Sequence, residues 1–147
     1  MKRALPFVIL SLSGCAVMEQ IERPGSSDAV PNAETGTIAP PATARTVEDF
    51  DTTTAEERTA AATVSSGGRR LGETIASLGD ATLPGFWVMT DLVEAETPGR
   101  VTNLANGASV EVTLLPGIAG SARVSLAALR LLDAPLTDLV SLDIFAN

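Results

Sequence analysis

Between Arg100 and Leu115 the chain reads RVTNL, then Ala105-Asn106-Gly107-Ala108, then SVEVTLL. Asn-Gly favours the positive φ of a tight hairpin turn, and the runs on either side are rich in β-branched residues. In the second run Val110, Val112 and Leu114 share one face while Ser109, Glu111 and Thr113 share the other. Side chains alternate along a strand, so this one has a core side and a wet side. The rest of the C-terminal half must supply sheet to cover that apolar face.

It does so in short pieces. Thr74 to Leu78 is a strand candidate closed by Gly79-Asp80, and Phe86 to Leu92 is another, entered through Pro84-Gly85. Pro116-Gly117 ends the hairpin. Ser125 to Leu132 (SLAALRLL) predicts a short helix with Ser125 as its cap, Leu126, Leu129 and Leu132 on one stripe, and Pro135 blocking its continuation. Leu139 to Phe145 (LVSLDIF) is apolar at most positions and predicts a central last strand. Several short strands with one helix before the last predict a small closed β-barrel over 71–147. Aromatics make up only 3% of the chain, so its core is built from Val, Leu, Ile and Ala.

Upstream the pattern differs. Thr53 and Thr54 precede Glu56 and Glu57, a capping-box arrangement, and Ala60 to Ala62 are strong helix formers, so a short helix is expected within 51–66. Residues 15–50 carry Pro24, Pro31, Pro40 and Pro41 among Gly, Ser, Thr and Ala, and predict a disordered, extended tether. Arg69-Arg70 reads as a solvated hinge between helix and barrel.

The first fourteen residues carry an address. Met1-Lys2-Arg3 is a basic head, and Ala4 to Leu12 is apolar but shorter than the roughly 20 residues a bilayer-spanning helix needs. That is the layout of a secretory signal peptide. Leu12-Ser13-Gly14-Cys15 resembles the bacterial lipoprotein lipobox, in which Cys15 would carry the lipid and become the mature N-terminus. Ala16, rather than Asp, follows it. In the sorting rule this resembles, that points to the outer membrane, with the protein facing the periplasm. Two or three acyl chains anchor stably where one does not, since each buried CH₂ contributes about 0.8 kcal/mol.

Composition narrows the chemistry. The chain has no His and no Tyr, its only Lys is Lys2, and its only Cys is Cys15. That excludes Ser-His-Asp and Cys-His catalysis and His-ligated metal sites, and, once the signal with Lys2 is removed, Schiff-base chemistry. No cofactor or metal is expected. Lys and Arg total 10 against 18 Asp and Glu, a net charge of −8, and loss of Lys2 and Arg3 with the signal would deepen it. Such a surface is repelled by phosphate backbones, so nucleic acid is not an expected partner.

The run RVTNLANGASVEV from Arg100 to Val112 is similar to the VRVTNLxNGRSVxV segment of the rare lipoprotein A family. Arg123 to Ala128 (RVSLAA) resembles that family's R-I-D-L-S-x-A-A segment, where a strand feeds a short helix, and Thr74 to Gly79 (TIASLG) its T-A-S-W-Y-G opening. The resemblance spans roughly Leu71 to Phe145 and implies a double-psi β-barrel in a lipid-anchored protein. The family's strand after the hairpin runs into N-D-R-G-P, whose Asp is the proposed acid of a lytic transglycosylase. Here Pro116 stands at that position, and the family's T-A-A-H segment has no counterpart. The expectation is a degenerate, non-catalytic member that binds an envelope protein or cell-wall peptidoglycan. The alternative is a weak peptidoglycan-cleaving enzyme with a relocated carboxylate, drawn from Asp91, Glu94, Glu96 or Glu111. Trp87, the only Trp, and Asp91 are the candidate ligand-binding residues.

Overall fold

The computed structural model describes residues 38–147, and its centre is the hairpin. Strands β3 (Thr97–Asn103) and β4 (Ser109–Pro116) pair antiparallel with Val101 opposite Val110. Val110, Val112 and Leu114 are buried, so the alternation read in the sequence sets the face of the strand that turns inward. The other strands are β1 (Arg69–Leu78), β2 (Trp87–Thr90), β5 (Ala122–Val124) and β6 (Val140–Ala146). Together they form a closed barrel in the order β1-β5-β2-β4-β3-β6. Closure leaves no strand edge unpaired, which matters for strands as short as β2 and β5.

The pairing has an internal two-fold pattern. Exchanging β1 with β4, β2 with β5 and β3 with β6 maps the scheme onto itself. Parallel β1–β5 becomes parallel β4–β2, and antiparallel β1–β6 becomes antiparallel β4–β3. The register follows the same exchange. Ala76 opposite Ala122 becomes Leu114 opposite Val88, and Ala76 opposite Val140 becomes Leu114 opposite Thr97. Even the strand ends agree: the Gly79 amide donates to the Val124 carbonyl and the Gly117 amide to the Thr90 carbonyl, each at 2.8 Å. A side chain at either glycine would collide with β2, at Gly79 with the Trp87 ring and at Gly117 with the Thr90 backbone.

Three helices dress the barrel. Helix α1 (Val47–Phe50) and helix α2 (Ala55–Ala62) both begin in complete capping boxes, Thr46 with Asp49 and Thr54 with Glu57. Helix α3 (Leu126–Leu131) is capped by Ser125, and its Leu126, Ala127, Ala128 and Leu129 are buried. Ser125 is itself fully buried, and its hydroxyl accepts from the Trp87 amide as well as from Ala128. None of the described helices is long and apolar enough to cross a membrane.

Several boundaries differ from expectation. Helix α1 falls inside the stretch expected as tether, where Ala44 is also buried and Thr52 Oγ1 donates to the Ile38 carbonyl. These contacts use backbone groups and caps, which leave no apolar period to read. Arg69 and Arg70 open β1 instead of forming a hinge, because Arg70 reaches Asp143 on β6 and Glu73 on its own strand. Strand β3 begins at Thr97, three residues before the run read from Arg100, so Pro98-Gly99 lies within it. A Cβ at Gly99 would strike the Phe145 carbonyl of β6 and the Leu114 side chain, so only glycine fits there. The expected signal and lipidation site, with the tether up to residue 37, lie outside the described residues.

Candidate functional site

Trp87 stands at the start of β2 and is only 7% exposed. Its indole N–H donates to the Leu83 carbonyl at 3.2 Å, and its ring lies against Gly79. A sugar-stacking platform needs an open ring face, and this ring is spent on closing the barrel. The structure places Trp87 in the wall of the barrel, packed against Gly79. Asp91 follows the other end of β2 and is exposed. Four residues of strand separate the two by roughly 13 Å, so they do not form one site.

The other carboxylates are also apart. Glu94 and Glu96 are exposed on the β2–β3 connection. Glu111 is occupied structurally: it faces Arg100 across the hairpin and accepts from the Ser65 amide at 2.7 Å and from the Asn147 side chain. Pro116 is the exposed last residue of β4, opposite Thr90. Among the described residues no cluster of three or more His, Cys, Asp or Glu is disposed to hold a metal ion.

A different constellation lies between the helices. A cavity of about 510 Å³ is lined by Glu48, Asp51, Arg58, Arg130 and Leu131. Its base is the turn between α1 and α2. Asp51, with its side chain 1% exposed, accepts from Arg130 Nη1 at 2.7 Å on one oxygen. The other oxygen accepts the Thr53 amide and hydroxyl. Thr53, 9% exposed, gives its carbonyl to Arg58 Nη1 at 2.7 Å. One buried turn therefore fixes two guanidinium groups, one from α2 and one from α3. Glu48 stands at the mouth, 74% exposed and 3.9 Å from Arg130 Nη2. The sequence offered no signal for this site, because Asp51 and Arg130 are 79 positions apart. The nearest clue was the capping pattern at Thr53 and Thr54.

No family model matches the chain, and no match appears among curated proteins or solved structures.

Proposed function

We propose that the protein is a non-catalytic, lipid-anchored envelope lipoprotein whose barrel binds a protein partner at the periplasmic side of the outer membrane. The observation that carries the binding reading is an apolar patch on the outer wall of the barrel. Ser141, small and exposed, lies between Ile75 on β1 and Leu104 at the end of β3. Ile75 is 62%, Leu104 48% and Leu139, just before β6, 71% exposed. Large aliphatic groups gathered on one wall mark interaction surfaces more often than scattered single ones do. With Trp87 buried, the patch favours a protein over a glycan.

The lipobox-like tetrad ending at Cys15 supports the anchor, and the short apolar run before it supports export. The two-fold pairing of the barrel supports a double-psi arrangement, and with it the likeness to the rare lipoprotein A family. Pro116 has no ionisable atom, so protonation of a leaving glycosidic oxygen has no donor at the position where that family carries its acid. Incubation with purified peptidoglycan strands should give no time-dependent anhydro-sugar product by mass spectrometry. Product abolished by mutating one carboxylate, Asp91 or Glu111 for example, would establish the enzyme instead.

The binding reading is tested by crosslinking in intact cells with the tagged full chain and with a Leu139→Asp, Ile75→Asp variant. A discrete crosslinked band lost in the variant, while both proteins fractionate with membranes, is the expected result. An identical band from both, or none from either, overturns the patch as the docking surface. The anchor is tested separately: Cys15→Ser should leave the membrane fraction.

A further inference from the structure

Independently of the apolar wall, we infer that the cavity between α1, α2 and α3 is a binding site for a small ligand bearing a single carboxylate, held by Arg58 and Arg130. The argument begins with charge. Arg130 is matched by Asp51 at 2.7 Å. Arg58 donates to Thr53 oxygens alone, and among the described residues it has no carboxylate within salt-bridge distance. The four lining charges, Arg58 and Arg130 against Asp51 and Glu48, sum to zero, and Arg58 alone of them lacks a partner of opposite charge, so a single negative charge on the ligand is what it can pair. Glu48 at the mouth adds a negative charge that opposes a second acidic group on the ligand.

Geometry points the same way. A guanidinium has five N–H donors in a fixed plane, and carboxylates engage them two at a time. Arg58 spends Nη1 on Thr53 and retains donors on Nε and Nη2, whereas Arg130 spends Nη1 on Asp51 and turns Nη2 toward Glu48, which leaves its Nε. The groups that hold them are buried and mutually bonded, so both arginines are ordered before any ligand arrives and little side-chain entropy remains to be lost on binding. Leu131 supplies an apolar wall, and about 510 Å³ lies in the range of small-molecule pockets. A peptide C-terminus with a small apolar side chain fits these three requirements: one negative charge, a planar acceptor pair and a modest apolar contact.

The test is titration of the full-length ¹⁵N-labelled protein with acetyl-alanyl-alanine, with its C-terminal amide and with inorganic phosphate. The free acid should give saturable shifts at the amides of Arg58, Arg130 and Leu131, with the amide at least tenfold weaker. Arg58→Gln should weaken the acid about tenfold, and Arg58→Lys, which keeps the charge but not the fork, by less. Arg123→Gln, on the exposed side of β5, should bind as the wild type does. Absence of saturable shifts with the acid overturns the proposal, and the comparison with the amide needs no mutant to fold. Equal binding of the acid and the amide, or tighter binding of phosphate, overturns the carboxylate assignment.

Discussion

Asn103 and Asn106 bend the hairpin and also stop the helix α3. Each accepts a backbone amide two residues on, Ala105 for Asn103 and Ala108 for Asn106, which shapes the turn. Each also donates its side-chain amide to the Leu132 carbonyl, at 3.0 and 2.9 Å, where α3 ends. Two donors thus serve one of the last carbonyls of the helix, which has no partner within it. The turn role was legible in the sequence because Asn-Gly is a local signal. The second role was not, since Leu132 is 29 positions from Asn103 and no spacing rule connects them. Asn103 is 2% exposed, and removal of a buried hydrogen-bonding group costs about 1–3 kcal/mol. Asn103→Ala should therefore lower the urea midpoint clearly, while Asn106→Ala, whose site is exposed and open to water, should lower it less. No effect from either would show that the stitch to α3 contributes nothing, and equal losses would show that the burial of Asn103 adds nothing to it.

At the scale of the element, the capping boxes of α1 and α2 explain why such short helices form at all. An isolated helix below about 12–15 residues is marginal in water, and neither of these approaches that length. In α2 only Ala61 is buried, so packing contributes little and the cap contributes much. Thr54→Ala removes the acceptor for the Glu57 amide and should cost about 1 kcal/mol, seen as faster amide exchange through α2 with the barrel unchanged. Barrel amides that accelerated equally would show α2 to be part of the same cooperative unit. The box at α1 also makes a pH statement. The Asp49 carboxyl is held below its usual value of 3.8, first by the Arg45 amide, then by the amide and hydroxyl of Thr46. Its folded pKa is thus lower than its unfolded one. The stabilisation is complete above the unfolded pKa and fades as pH falls through the folded value. Asp80 is lowered in the same sense by the hydroxyl and amide of Thr82. Asp49→Asn should then remove part of the acid-side loss of α1 order below about pH 4. An unchanged acid limb, followed by the amide signals of α1, would contradict this. The sequence showed the α2 box because Thr54 and Glu57 stand before a run of alanines. It hid α1, which has four residues, and β5, which has three, since neither is long enough to show a period.

For the molecule as a whole, the barrel was legible because its strands alternate and its turns carry Gly and Pro. The helix cavity was not, because its charges come from positions far apart in the chain and meet only in the tertiary fold. Closure itself rests on β6, which arrives last in the chain and joins β1 to β3. Leu142 sits in the middle of this seam, fully buried, opposite Thr74 on one side and Asn103 on the other. Leu142→Ala should cost about 2–5 kcal/mol, the lost transfer energy plus the cavity left behind. The distribution of that loss tests the barrel more sharply than its size. In the ring order β2 lies across from β6, so Val88 on β2 is as far from the seam as a strand residue can be. A barrel in which each strand leans on two neighbours opens as a unit, and its core amides exchange only through that global opening. The substitution should therefore speed exchange at Val88 and Val124 by the same factor as at Val101 and Ile144, more than tenfold in each case, since about 1.4 kcal/mol corresponds to a factor of ten. Acceleration confined to β1, β3 and β6, with Val88 and Val124 still slow, would mean that the β2–β5 wall holds without the seam and that closure is not what secures the fold.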